Sequence, residues 1–252
     1  MKSIAVVTVT YECERVIEKT LLSVITQQNR EKIQYIVIDG ASKDGTLQIL
    51  NKYSDKIDII ISEPDSGIYN AMNKALRHVN AEWVLFMNAG DVFYDKYTIK
   101  KIFEYSHLLA TTDMAGFKTI LKYKKEDIIS ETKSLKERWV CLPACHQSLM
   151  IKSSIHKIYN FDERWRICAD HELFNKLINN GYIYKSIPLF CSVFSFDGIS
   201  AKNRLRLYQE KLNIARHYNA PVIAKIKIIL LILRLKASSI YKKIIGITKN
   251  EN

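Results

Sequence analysis

Acidic and polar residues follow four apolar segments in the first ninety residues of the chain. These polar positions are Thr10-Tyr11, Asp39-Gly40, Glu63-Pro64-Asp65 and Asn88–Asp91. Three of the four carry a carboxylate, and carboxylate oxygens are ligands that Mg²⁺ and Mn²⁺ accept in proteins. A bound cation of this kind neutralises phosphate oxygens. The pattern therefore indicates a metal-assisted site for a phosphorylated ligand.

The segments before these positions are predicted strands. Apolar runs of strand length are Ser3–Thr10, Ile33–Ile38, Ile57–Ile61 and Trp83–Met87, and helical apolar spacing occupies 14–28, 46–53 and Ser66–Val79. Alternation of strand and helix is typical of right-handed βαβ units with a largely parallel sheet. Ligands of such sheets bind beyond the carboxyl ends of the strands, so we expect all four polar positions at one edge.

The glycine pattern excludes two common nucleotide-binding classes. The eight glycines form neither G-x-G-x-x-G nor G-x-x-x-x-G-K-[ST], so the sequence lacks the loops typical of dinucleotide-binding and P-loop proteins. The turn after the first strand is instead Tyr11-Glu12-Cys13-Glu14, and its two carboxylates repel a pyrophosphate. Neutralisation by a metal is therefore the favoured way to hold a phosphate.

The composition is that of one large folded domain with an appendage. The chain has 252 residues, of which 48% are hydrophobic and 25% charged, and these values exclude wholesale disorder. The five cysteines are scattered, which argues against a disulfide framework. The N-terminal segment has no small-residue cleavage pattern, so we interpret it as the first strand and expect a cytoplasmic protein.

Positive charge is concentrated in the C-terminal segment. Residues 202–252 hold twelve basic and two acidic residues, and so +10 of the net +12. Within this segment Ile228–Leu233 is uncharged, but it is far shorter than the roughly 20 residues that a bilayer span needs. We expect a basic interfacial helix that binds an anionic membrane surface. The alternative is a C-terminal helix packed on the body of the protein or in a dimer.

Seven segments, taken in order, resemble glycosyltransferase family 2, and most closely its bacterial branch that builds O-antigen, capsular and exopolysaccharide repeats. The segments are VTVTYE (7–12), VIDGASKDGT (37–46), SEPDSGIYNAMNKA (62–75), FMNAGD (86–91), CHQSLMIK (145–152), FDERWRICADHELF (161–174) and FSFDGIS (194–200). The resemblance covers roughly residues 1–215, and the ordered set is far more specific than any single segment.

The resemblance implies a fold and a reaction. The fold is an α/β GT-A, Rossmann-like, largely parallel sheet flanked by helices, with a nucleotide-binding half (1–95), an acceptor half (96–215) and a basic helical tail (216–252). The reaction is inverting transfer of a sugar from a nucleotide-sugar donor, with UDP the commonest nucleotide, to a hydroxyl of a lipid-linked or polysaccharide-precursor acceptor. A divalent cation, Mn²⁺ or Mg²⁺, is the implied cofactor. We therefore expect a peripheral protein on the inner face of the cytoplasmic membrane, and a homo-oligomer is compatible with this expectation.

Two acids acquire central roles from the resemblance. Asp170 matches the catalytic base, which takes the proton of the acceptor hydroxyl. Glu172 is the alternative base, and its i+2 spacing on a helix predicts that it points away from Asp170. Asp91 matches the last acid of the metal-binding motif, although Asn88 and Gly90 stand where other members often have Asp.

The remaining matched positions are donor- and acceptor-binding residues. They are Thr10 and Tyr11 at the nucleoside, Asp39 at the nucleotide base, Asp65 beside the nucleoside, Asn88 in the metal motif, His146 and Gln147 on the acceptor or metal side, and Lys202 and Arg204 in a lid over the diphosphate. Asp39 is alternatively a turn-forming residue before Gly40. Where the branch has an acid in its G-I-Y-x-A-M-N-K segment, this sequence has Asn70.

Two other functions compete with this interpretation. A sugar-1-phosphate nucleotidyltransferase needs a basic, glycine-rich loop after the first strand, and Tyr11–Glu14 has the opposite character. A nucleic-acid-binding protein could use the positive C-terminal segment to grip phosphates. The sequence shows no recognition module, and the Ile and Leu content of that segment favours lipid or packing, so we expect no nucleic-acid partner.

Overall fold

Nine strands form one mixed sheet in the part of the chain that the computed structural model describes, which is residues 2–123, 126–195 and 203–248. The strands are β1 (Lys2–Thr10), β2 (Ile33–Asp39), β3 (Ile59–Ser62), β4 (Ala81–Phe86), β5 (Val92–Phe93), β6 (Met114–Lys122), β7 (Asp127–Ser130), β8 (Leu149–Lys152) and β9 (Tyr184–Ser195). Their order in the sheet is β3-β2-β1-β4-β8-β6-β9-β5, and β7 pairs with β6.

Helices flank both faces of this sheet. Over the same described ranges they are α1 (Glu14–Ile25), α2 (Thr46–Lys52), α3 (Ile68–Leu76), α4 (Thr98–Glu104), α5 (Ser106–Leu109), α6 (Ser153–His156), α7 (Ala169–Asn179), α8 (Arg204–His217) and α9 (Val222–Thr248). The apolar side chains of α3 and α7 pack on one face, and those of α1, α2 and α4 pack on the other. The predicted α/β fold is confirmed.

Parallel pairing is confined to part of the sheet. In β3-β2-β1-β4 all neighbours are parallel, and β6 is parallel to β9. Strands β5, β7 and β8 join their neighbours in the antiparallel direction. Both β1 and β2 are buried on both faces, which explains their nearly continuous apolar sequences. The first half of the chain thus has the predicted βαβ arrangement, and the second half builds a mixed sheet onto it.

Strand β9 continues through Pro188 as one strand, with a shift in its register against β6. Ser186 pairs with Gly116 and Ser192 with Thr119, so β9 has extra residues opposite β6 around the proline. Proline has no backbone N–H to donate, and a local irregularity in the ladder accommodates it without ending the strand.

A separate apolar cluster attaches the C-terminal helix to the body. Ala224, Ile228 and Ile232 of α9 are buried against α8 and against Trp139. One side of α9 is therefore packed on the body of the protein, which was the alternative to a membrane-binding helix in the sequence analysis. Within the described ranges, no helix has the length and apolar content that a bilayer span requires.

We expect Ile228→Ala to destabilise the protein by about 2–5 kcal/mol, because Ile228 is fully buried and its truncation leaves a cavity between α8 and α9. Ile223→Ala, on the exposed side of α9, should change the free energy of unfolding by less than about 0.5 kcal/mol. Urea unfolding followed by tryptophan fluorescence measures both. Equal effects of the two substitutions would show that α9 does not pack on α8.

Candidate active site

Parallel pairing brings the predicted strand-end residues to one edge of the sheet. Thr10 lies opposite Asp39, and Asp39 lies opposite Ser62. A Cβ atom on Gly40 would stand 2.7 Å from Asp65 Oδ2 and 3.1 Å from Tyr11 Cδ2, so a side chain at this position would have to displace Asp65 or Tyr11. The Tyr11 ring is more than half exposed and offers an open aromatic face beside the carboxylate of Asp65.

Asp39 is fully buried and holds the turn that follows β2. Its Oδ2 accepts hydrogen bonds from the Ser42 backbone N–H (2.9 Å) and from Ser62 Oγ (2.7 Å), and its Oδ1 accepts one from Ser42 Oγ (2.5 Å). Three of about four acceptor positions are thus used by the protein itself. The turn-forming role of Asp39 is visible here, and its contact with a nucleotide base stays a prediction.

The segment after β4 forms a tight turn that is fixed by α1. The Asp91 N–H donates to the Asn88 carbonyl (2.9 Å), and Gly90 has a positive φ of 98°. Thr20 Oγ accepts from the Gly90 N–H (2.9 Å) and donates to the Asp91 carbonyl (2.8 Å). Helix α1 therefore sets the position of the Asp91 carboxylate, which is mostly buried.

The oxygens of this turn fit a hard divalent cation. Asn88 Oδ1 is buried and has no hydrogen-bond partner among the described residues, which costs free energy unless a ligand meets it. Amide and carboxylate oxygens suit Mg²⁺ and Mn²⁺. In the described part of the chain no group of three or more His, Cys, Asp or Glu side chains could hold a metal alone. Asn88 and Asp91 are thus suited to a cation that also binds phosphate oxygens and water.

Asp170 lies in the first turn of α7 with one oxygen bound and the other open. Its Oδ1 lies 2.9 Å from the Tyr69 hydroxyl and 2.8 Å from the His171 N–H, and both groups donate to it. Its Oδ2 faces His146 Nδ1 at 3.7 Å. The side chain borders a small cavity that is also lined by His146, Phe86 and Phe161. Asp170 Oδ2 is therefore available to accept a proton.

His146 and Gln147 join the two principal acids of the site. His146 approaches Asp170, and Gln147 Nε2 donates to Asp91 Oδ2 at 2.9 Å. Burial lowers the pKa of the His146 imidazole, and the nearby Asp170 carboxylate opposes that shift only in part, so the ring is neutral at pH 7. The two adjacent residues thus place the predicted base and the predicted metal ligand on either side of one short segment.

A polar network links the loop after β3 to the segment before α7. The Glu163 carboxylate accepts hydrogen bonds from Asn70, Asn73 and Ser66 at 2.9–3.3 Å, and Arg166 donates to the Ser66 carbonyl. Desolvation raises the pKa of Glu163, but the donated hydrogen bonds outweigh it and the pKa lies below its usual range. The amide of Asn70 can donate to Glu163, whereas an acid at position 70 would place a second carboxylate against the carboxylate of Glu163.

Helix α8 holds the start of α7. Glu210 Oε2 accepts from the backbone N–H groups of Ile167 (2.9 Å) and Cys168 (3.1 Å), which would otherwise be unpaired at the helix start. Glu172 is buried and bonded to the Tyr218 hydroxyl, on a different side of α7 from the Tyr69–Asp170 contact. The alternative base is therefore directed at α8.

The predicted lid is only partly described. Lys202 and the segment 197–200 lie outside the described residues, whereas Arg204 is exposed at the first position of α8.

Four residues that the structure brings into the site were missed by sequence reasoning: Tyr69, Glu163, Arg166 and Glu210. The unexpected amide at Asn70 was the available signal, because it indicates an acidic partner elsewhere.

We expect Asn70→Asp to destabilise the protein by about 1–3 kcal/mol at pH 7, since it replaces a donated hydrogen bond by two facing carboxylates. The double variant Asn70→Asp/Glu163→Gln should recover most of this loss, because the glutamine amide can donate to the new carboxylate. Asn80→Asp, at an exposed position, is the matched control. Urea unfolding checks all three, and a double variant no more stable than Asn70→Asp would contradict the proposed pairing.

Part of the chain is similar in sequence to known glycosyltransferases. Residues 5–128 match the sequence model of Glycosyl transferase family 2. An uncharacterized glycosyltransferase of Mycobacterium tuberculosis is 32% identical over 91 residues, which are 36% of this chain and 35% of the relative. A PGL/p-HBAD biosynthesis glycosyltransferase of Mycobacterium bovis is 24% identical over 166 residues, 63% of each chain. The chain thus spans between about a third and two thirds of the length of these curated relatives.

Solved structures share the fold. Staphylococcus aureus TarS in complex with UDP-GlcNAc aligns with a TM-score of 0.71 at 21% identity, over 92% of this chain and 72% of that one. The mannosyltransferase PcManGT from Pyrobaculum calidifontis, in complex with GDP-Man and Mn²⁺, aligns with a TM-score of 0.68 at 20% identity, over 91% and 68% of the two chains. These likenesses show a GT-A fold, and the sequence match places a Glycosyl transferase family 2 region at residues 5–128 of it.

Proposed function

We propose that this protein is an inverting glycosyltransferase that moves a sugar from a nucleotide-sugar donor to a hydroxyl group of a lipid-linked or polysaccharide-precursor acceptor. One observation carries the proposal most directly. His146 and Gln147, neighbours in sequence, contact Asp170 and Asp91 respectively. An acid suited to proton transfer and an acid suited to a cation are thereby held at one site, as sugar transfer from a nucleoside diphosphate requires.

A UDP-sugar is the proposed donor. The nucleoside would lie against the exposed Tyr11 ring and beside Asp65, both of which approach Gly40. Asp39 has one acceptor position left for a base N–H. The likeness to TarS, which was solved with UDP-GlcNAc, supports this choice, whereas the likeness to a mannosyltransferase solved with GDP-Man keeps a purine nucleotide as the competing outcome.

The proposed mechanism is a single displacement at the anomeric carbon. Asp170 Oδ2 takes the proton of the acceptor hydroxyl while the hydroxyl oxygen attacks the face opposite the diphosphate. The bond from the anomeric carbon to the phosphate oxygen breaks through an oxocarbenium-like transition state, and the configuration inverts. Tyr69 and the His171 N–H keep Asp170 oriented by occupying Oδ1. A divalent cation at Asn88 and Asp91 would neutralise charge on the departing diphosphate.

We propose the membrane surface as the place of transfer, since a lipid-linked acceptor is presented there. The net +10 of residues 202–252 supports attraction to the anionic inner leaflet of the cytoplasmic membrane. Bacterial O-antigen, capsule and exopolysaccharide synthesis are the processes in which such acceptors are used by the branch that the sequence resembles.

We expect Asp170→Asn to lower the transfer rate by about 10²–10⁴-fold without changing the affinity for the donor, because the amide cannot accept the hydroxyl proton. Initial rates with a saturating donor, and calorimetric titration of the donor, measure the two effects. Glu172→Gln is the control, because its side chain contacts Tyr218 and should keep the base intact. Transfer that survives Asp170→Asn and is lost in Glu172→Gln would reassign the base.

We expect Asp91→Asn to weaken Mn²⁺-dependent donor binding by about tenfold or more, which corresponds to at least about 1.4 kcal/mol. Donor binding without metal should change little, because the amide keeps the size of the side chain. Calorimetric titration with and without Mn²⁺ makes the comparison, and Asp127→Asn, on the exposed strand β7, serves as a control. An undiminished Mn²⁺ effect in Asp91→Asn would remove Asp91 from the metal site.

A further inference from the structure

The helix α9 carries a second apolar face that the body of the protein does not cover. Its buried face is Ala224, Ile228 and Ile232. The exposed apolar side chains are Val222, Ile223, Ile226, Ile229, Leu230 and Leu233, with 38–69% of each accessible. At 100° per residue, these six positions lie within about one third of the helix circumference. We call this set the exposed stripe. A contiguous apolar surface of this kind marks an interaction site.

Basic residues border the exposed stripe on both sides. The helical period places Lys227 and Arg234 along one border, and Lys225 and Lys236 along the other. None of the four forms an ion pair with a residue in the described ranges, and residues 222–248 contain no Asp or Glu. The basic residues therefore occupy the two boundaries between the buried and the exposed apolar faces of α9.

We propose that α9 lies flat on an anionic lipid surface, with the exposed stripe at the boundary between headgroups and acyl chains. Long cationic side chains beside an apolar stripe can extend their charges to phosphate headgroups while their stems remain apolar. The inference deepens the proposed function, on which its biological meaning rests, because it names the surface that presents a lipid-linked acceptor.

The charges of α9 favour an anionic bilayer over a second copy of the chain or a nucleic acid. A second copy of the chain would bring two stripes together with their basic borders, and no acid in 222–248 would offset the repulsion between them. A nucleic acid would pair with the cations but would leave the apolar stripe in water. An anionic bilayer satisfies both the apolar and the cationic parts of the surface.

The lipid-facing helix is fixed relative to the catalytic base. Helix α9 packs on α8, and Glu210 of α8 holds the N–H groups of Ile167 and Cys168 just before α7. Tyr218, which follows α8, bonds to Glu172 of α7. A protein docked through α9 would therefore keep the helix that carries Asp170 in a fixed position relative to the bilayer.

The test is co-sedimentation of the full chain with vesicles of phosphatidylcholine alone or mixed with phosphatidylglycerol. We expect binding only to the anionic vesicles, at least tenfold weaker binding for Ile226→Glu/Leu230→Glu, and weaker binding with less salt dependence for Lys227→Gln/Arg234→Gln. The matched controls are Ile158→Glu/Ile183→Glu and Lys100→Gln/Lys157→Gln, which change exposed residues away from α9. Both controls should bind like the unmodified chain.

Three outcomes would overturn the proposal. They are no binding of the unmodified chain to anionic vesicles, equal loss in the stripe variant and its control, and a dimer in sedimentation velocity that Ile226→Glu/Leu230→Glu abolishes without affecting vesicle binding. Circular dichroism confirms that each variant is folded. Asp170→Asn should bind vesicles normally, so a failure of the membrane proposal is distinguishable from a failure of the proposed glycosyl transfer.

Discussion

The candidate site depends on the parallel, in-register pairing of β1 between β2 and β4. Strands β1 and β2 are buried on both faces, which confines their charged residues to the strand ends, and the parallel direction brings the carboxyl ends to one edge of the sheet. The cost of burying Asp39 at that edge is offset by hydrogen bonds from Ser42 and Ser62. The turn that results brings Gly40 against Tyr11 and Asp65. The pairing that stabilises the sheet therefore also determines where the residues of the candidate site lie.

The second half of the chain completes the site through a few long-range polar contacts. His146 and Gln147 reach Asp170 and Asp91, and Glu163 receives the amides of α3. The hydrogen bonds of Gln147 and Glu163 satisfy polar groups that would be costly to bury alone, so bonds that stabilise the fold also position Asp91 and Glu163. Helix α8 extends this arrangement to the C-terminal helix through Glu210.

Sequence patterns predicted the edge of the sheet but not the contacts across it. Thr10, Asp39 and Asp91 could be predicted because the end of a strand can be recognised from the local sequence. Tyr69 and Glu163 could not be predicted, because their hydrogen-bond partners lie about a hundred residues away in the sequence. No local pattern of residues indicates a contact over that separation. The strands β6–β8 were also missed, since antiparallel pairs added to a parallel sheet leave only short, irregular apolar runs. The sequence of α9 is apolar on several sides, and only the burial of Ile228 separates its packed face from its exposed apolar face.

Calorimetric titration of the full chain with UDP, GDP and dTDP, with and without Mn²⁺, tests whether the strand-end edge is a metal-assisted nucleotide-sugar site. We expect one nucleotide, UDP, to bind and Mn²⁺ to strengthen its binding. A folded chain that binds none of the three nucleotides in either condition would contradict this expectation.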